Sequence, residues 1–147
     1  MYEDVGQRRK FRALTVATGV VAALALWAIV EYAVGIDLKA PQMQGAPQQD
    51  INAVAVLMSS LFAGLVAWGL LALLERFVNP ARTVWLVLAV LGGLFSLGAP
   101  FSGTAITTGN RIALLCEHIL VGIIVIGGLY RTARPGPRQA SAPAEAA

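Results

Sequence analysis

Charge is scarce in this chain: 13% of its 147 residues are Asp, Glu, Lys or Arg, against about a quarter in an ordinary soluble domain. It has a single cysteine and a single histidine. One cysteine excludes an internal disulfide and any Cys-x-x-Cys redox pair, so thiol–disulfide chemistry within the chain is out of reach. A lone histidine excludes the His-Glu-x-x-His motif of zinc hydrolases. There is no paired-aspartate motif, no Ser–His–acid order that can be verified, and no internal repeat. No catalytic residue, metal site or cofactor is therefore assigned. The length leaves room for one compact unit.

What is present is hydrocarbon. The composition is 57% hydrophobic, and the charges gather at the ends and in short connections. Four apolar runs remain, at about 13–35, 51–74, 83–99 and 112–130. Each approaches the roughly 20 residues that cross a bilayer core. In lipid every backbone amide must be satisfied within its own segment, so runs of this length must be helices. The fold class is all-α: a polytopic membrane protein built as an up-down four-helix transmembrane bundle over 13–131. It is flanked by a basic arm at 1–12 and a tail at 132–147.

The net charge of +3 is more informative by position than as a total. Arg8, Arg9, Lys10 and Arg12 precede the first run; Arg76 and Arg82 lie between the second and third; Arg131, Arg134 and Arg138 follow the fourth. The opposite side holds only Lys39 and Arg111. Nine against two, by the positive-inside rule, puts both termini in the cytoplasm and the protein in the plasma membrane, crossing it several times. The basic flanks read as topology anchors at lipid headgroups, and no nucleic-acid partner is expected. "RRKFRAL" at 8–14 loosely resembles a twin-arginine export signal. The apolar run behind it is long, Glu31 interrupts its end and no convincing cleavage site follows, so a retained first helix is expected.

The connections read in turn. Residues 36–50, with two prolines and four glutamines, form a polar, mobile outer loop. In "ERFVNPAR" (75–82), Asn79 suits a helix cap and Pro80 the first turn of the third span. The letters "NPA" occur once and at the membrane edge, unlike the paired motifs of water channels. Pro100 ends or kinks the third span, and four hydroxyls follow (Ser102, Thr104, Thr107, Thr108). The Pro- and Ala-rich tail has no bulky apolar residue with which to order itself. Small residues recur four apart at Gly19–Ala23, Ser60–Gly64 and Ala89–Gly93, a spacing that lets membrane helices approach closely.

Six polar residues interrupt the spans: Glu31, Ser59, Ser60, Ser96, Glu117 and His118. At about 1.5 Å per residue, all fall in the outer half, Glu117 and His118 roughly 8–10 Å deep. Leu114, Val121, Val125 and Gly128 continue the stripe between the acid and the imidazole, while Cys116 points away. Val20, Leu24, Trp27 and Ala28 share a stripe with Glu31; Trp85, Ala89 and Gly92 share one with Ser96. If these stripes face inward, Glu31, Ser59 or Ser60, Ser96, Glu117 and His118 converge on a pocket open to the exterior. The blander reading has the serines bonding their own helix backbone and Glu31 anchoring at headgroups. An acid as deep as Glu117 costs about a few kcal/mol even on insertion scales unless it is partnered or neutral.

"AGLVAWGLLALLERF" (63–77), "VGIDL" (34–38), "FSLGAPFSG" (95–103) and "EHILVG" (117–122) resemble a family of small four-span membrane proteins of uncharacterised function, common in actinobacteria. The likeness covers the spans and not the tails. It implies the four-span architecture and supplies no activity. The leading expectation is an accessory or scaffold subunit, or a homo-oligomer, acting through helix packing against the bilayer and a membrane partner. The alternative is a protonatable outer-half pocket that binds or passes a small solute, ion or lipid headgroup.

Overall fold

A computed structural model describes residues 2–41, 47–101 and 107–134. Four helices carry the chain: α1 (Tyr2–Ala28), α2 (Ala53–Phe77), α3 (Ala81–Ser96) and α4 (Thr108–Thr132). A π-helical turn (Ile29–Val34) extends α1, and a two-stranded hairpin, β1 (Lys39–Pro41) and β2 (Gln48–Asp50), precedes α2. Four segments are long and apolar enough to cross a membrane: Val5–Val34, Ala53–Phe77, Ala81–Phe101 and Thr108–Thr132. The basic arm is itself helical from Tyr2. The tail from 135 onward, with Ser102 and Thr104, lies outside the described residues.

Local chemistry sets the helix ends. Asn52 caps α2, its Oδ1 accepting from Ala55 N–H at 2.9 Å. Thr107 caps α4, its Oγ1 accepting from Asn110 N–H at 3.2 Å. Each side chain satisfies one of the first-turn amides that have no partner within the helix. At the far end of α1, Gly35 sits at φ 74° and donates to Val30 O. That left-handed conformation suits glycine, which has no Cβ to clash. Asn79 does not cap α3: Pro80 occupies the cap position with extended backbone, no side-chain bond closes this end, and the Asn79–Pro80 peptide is cis. The helix begins one residue later than the sequence suggests. Beyond Ser96 the chain tightens into a 3-10 turn, Ala99–Phe101, with Pro100 buried, so Pro100 does lie past the end of the helix.

Within the connection at 36–50, residues 39–41 and 48–50 form paired strands, while 42–46 lie outside the described residues. The strands pair antiparallel, Lys39 opposite Asp50 and Pro41 opposite Gln48, and Lys39 Nζ lies 3.4 Å from Asp50 Oδ1. Leu38 anchors the base, 1% exposed in a cluster with Val30, Ala113 and Leu114. A second cluster joins Leu71, Trp85, Val125 and Leu129 from α2, α3 and α4. The Trp85 indole N–H donates to Ala67 O at 3.0 Å, and that of Trp27 to Ile51 O at 2.8 Å.

Between the clusters, small residues set the spacing. A Cβ on Gly64 would lie 2.8 Å from Val16 Cγ1, one on Gly19 would lie 3.2 Å from Val125 Cγ2, and one on Gly128 would overlap Thr15. The buried face of α1 is therefore Arg12, Thr15, Val16, Gly19 and Ala23, continued by Val30 in the π-helical turn. It lies one position before the stripe of Val20, Leu24 and Trp27, which are half-buried, because α1 closes on α2 where Val16 meets Gly64 and on α4 where Gly19 meets Val125 and Thr15 meets Gly128.

Candidate functional site

The polar residues of the spans are mostly bonded within their own segments. Ser60 donates to Val56 O at 2.6 Å, Ser59 to the same carbonyl at 3.2 Å, and Ser96 to Gly93 O at 2.7 Å. Hydroxyls in apolar helices reach back to the carbonyl three or four residues earlier in this way. Glu31 Oε2 accepts from Leu38 N–H at 3.3 Å, fastening the loop that follows its own helix. His118 Nδ1 lies 2.7 Å from Leu114 O. A carbonyl only accepts, so that nitrogen carries a proton. Among the described residues, no hydrogen bond or ion pair joins any two of the six. Glu117 is half-buried and flanks the inward stripe on which Leu114 and Val125 are buried, while Cys116 is exposed.

The strongest polar constellation lies at the opposite end, where sequence reasoning saw only anchors. Arg9, Lys10, Arg76, Arg82, Arg131 and Arg134 are exposed and Arg8 is half-buried. The Arg82 guanidinium stacks 4.0 Å from the Tyr130 ring centroid. Arg12 departs from this group: it is 4% exposed. Its Nη2 and Nη1 donate to Glu75 Oε1 and Oε2 at 2.7 and 3.1 Å. Its Nε donates to Thr132 Oγ1 and its Nη2 to Thr132 O, both at 2.9 Å. Glu75 Oε1 also accepts from Arg134 N–H at 2.8 Å. A rigid guanidinium fork matches a carboxylate in two bonds, so this one side chain ties α1 to α2 and α4. The signal was available: Arg12 and Glu75 each border an apolar run on the same side of the deduced topology.

Asn110 is the second residue that sequence reasoning missed. It is 3% exposed, and its side-chain amide pairs with the backbone of Lys39, Nδ2 donating to Lys39 O at 2.7 Å and Oδ1 accepting from Lys39 N–H at 3.3 Å. This latches the hairpin to the first turn of α4. Nearby, Arg111 Nε donates to Pro100 O at 3.3 Å, bringing the turn after α3 to the same end.

A groove follows the seam between α1 and α4 at the Arg12 end. Its mouth, about 460 Å³, is bordered by Gln7, Arg8, Arg131 and Arg134. It continues as an apolar channel of about 380 Å³ between Leu14, Thr18, Ile123 and Ile124, with Gly127 on its wall. Phe11 and Arg131 line both parts. Among the described residues no three His, Cys, Asp or Glu side chains come together in a group that could hold a metal ion.

A family model described as "Family of unknown function (DUF6069)" matches residues 3–135. No curated protein and no solved structure matches the chain.

Proposed function

The chain belongs to the DUF6069 family, a family of unknown function, and we propose that it is a small plasma-membrane protein acting through helix packing, as an accessory or scaffold subunit or as a homo-oligomer. In this reading it forms an up-down four-helix bundle with both termini cytoplasmic. The nine-to-two distribution of basic residues supports that orientation.

The observation that carries the reading is how the polar groups are used. Arg12, Glu75, Thr132, Asn110 and the indoles of Trp27 and Trp85 all bond across elements. Their work is to hold helices together. The surface left over is apolar, most of all on α3: only 11% of that segment's apolar window is buried. Phe95, Leu94 and Leu91 are 88%, 61% and 57% exposed. A face of this kind suits lipid or another helix.

The reading is tested by in-membrane crosslinking of full-length protein. In a Cys116→Ala background, Leu91→Cys or Phe95→Cys should form crosslinked species larger than one chain, and size measurement in nanodiscs should find more than one chain per particle. Strictly single chains, with no crosslink from either position, would contradict self-association. Assembly should also survive Glu117→Gln. A solute pocket built on Glu117 and His118 would instead lose a pH-dependent binding signal in that variant.

A further inference from the structure

Three of the four apolar segments are bounded by polar or aromatic markers at one spacing. On α4 the markers are Arg111 and Tyr130, on the third segment Arg82 and Phe101, and on the first Arg12 and Glu31. Each pair stands 19 positions apart, and between the markers of these three segments the one charged side chain is Glu117. At helical rise that spacing covers about 28 Å.

The markers meet across helices. The Arg82 guanidinium stacks 4.0 Å from the Tyr130 ring centroid, and that of Arg111 lies 5.2 Å from the Phe101 centroid. Arg12 bonds Thr132, and from there α1 keeps one antiparallel register along α4. Thr15 meets Gly128, Gly19 meets Val125, and Val30 clusters with Ala113 and Leu114. The same register sets Glu31 and Tyr32 level with Arg111. Tyr32 is 76% exposed, and its ring meets that of Trp27 edge to face, centroids 5.7 Å apart. Each end of the bundle therefore carries a rim of arginine and aromatic side chains. Such residues have an apolar body and a polar tip, which suits the layer where hydrocarbon meets headgroups. At the basic end Arg76 stacks on the exposed Phe77 ring at 5.4 Å. Stacking occupies the face of a guanidinium and leaves its N–H fork for headgroup phosphates.

We propose that the bundle is fitted to a bilayer whose hydrocarbon core is about 28 Å thick, with Arg111, Phe101 and Tyr32 at its outer surface and Arg82, Tyr130 and the Arg12 clamp at its inner surface. The fit rests on the membrane reading and does not depend on self-association. It places the paired strands outside the hydrocarbon, with Leu38 seated at its edge. The exception is α2, where 51–74 carry no charge over about 36 Å. A span longer than the local core tilts, so the three concordant segments set the thickness.

Electron paramagnetic resonance of the full chain tests the fit, in vesicles of dioleoyl phosphatidylcholine and dioleoyl phosphatidylglycerol. The nitroxide is carried by native Cys116 or, in a Cys116→Ala background, by Ile112→Cys, Ile119→Cys, Ile123→Cys or Gly127→Cys, all on the exposed stripe of α4. Oxygen concentrates in hydrocarbon and a nickel chelate stays in water, so the ratio of their collisions with the label reports depth. That ratio should be severalfold higher at 119 and 123 than at 112, with 116 and 127 in between. A maximum at 116 or 127 would overturn the fit while leaving the membrane reading in place; chelate access at all five positions would remove that reading as well. Thermal unfolding of the wild type needs no substitution and reads the thickness itself. The midpoint should be highest in dioleoyl phosphatidylcholine and lower in both the dimyristoleoyl and the dierucoyl lipid. A maximum in the long-chain lipid, the result expected if α2 set the thickness, or in the short-chain lipid would overturn the proposal.

Discussion

A buried arginine is held by its partners, and Arg12 has three kinds: a carboxylate, a hydroxyl and a carbonyl. The side chains of the ion pair are 5% and 13% exposed, so losing one partner strands a charge in a poor solvent. Breaking such a pair costs about 3–5 kcal/mol, whereas replacing both members by apolar residues of similar volume is often neutral. Arg12→Met and Glu75→Leu should therefore each lower unfolding stability by about 3 kcal/mol, and the double variant should recover most of the loss. Denaturant titration of the purified protein checks this; simple addition of the two losses would mean that the pair is not coupled. The sequence displays both residues, yet their pairing spans 63 positions and becomes readable only once the topology sets them at one depth. The serines were legible as they stand, because back-bonding is a local habit of hydroxyls in helices. Asn110 was not, since its partner is the backbone of Lys39 and no side-chain pattern marks a peptide group.

Helices were readable because their signal is length plus hydrophobicity, and each of the four apolar runs overlaps a helix long and apolar enough to cross a membrane. Connections were less so. The strand pair 39–41 and 48–50 has Leu38 seated under it and Asn110 behind it, contacts that a count of glutamines does not reveal. The start of α3 was misread because Asn-Pro reads as cap and first turn, whereas Pro80 itself takes the cap position. Small residues four apart did mark close approach, and the structure sorts them. Gly64 meets Val16 and Gly19 meets Val125 closely, while Gly93 makes only ordinary contact with Ile126; outside those pairs, Gly128 meets Thr15, and Gly69, Gly92 and Gly122 have open space. Gly64→Leu should lower stability by about 1–3 kcal/mol through overpacking, and Gly122→Leu should change it little. Thermal unfolding of the two variants side by side checks the contrast; equal melting would mean that the α1–α2 approach is not tight.

At the scale of the molecule, two clamps hold opposite ends. Arg12, Glu75, Thr132 and Arg134 gather the start of α1 with the ends of α2 and α4. Asn110, Lys39, Trp27 and Ile51 gather the hairpin with the neighbouring helix ends. Among the described residues, the first clamp lies at the end that carries eight of the ten basic residues, and the proposed orientation in the membrane rests on the basic asymmetry of the sequence. In the proposed arrangement the chain crosses the bilayer four times with the Arg12 clamp facing the cytoplasm. Sided cysteine labelling tests it most directly. In a Cys116→Ala background, a membrane-impermeant maleimide applied to intact cells should label Gln48→Cys in the hairpin. It should reach Ala140→Cys in the tail only after permeabilisation. Labelling of the tail on intact cells, or a hairpin protected until the membrane is opened, would contradict the account.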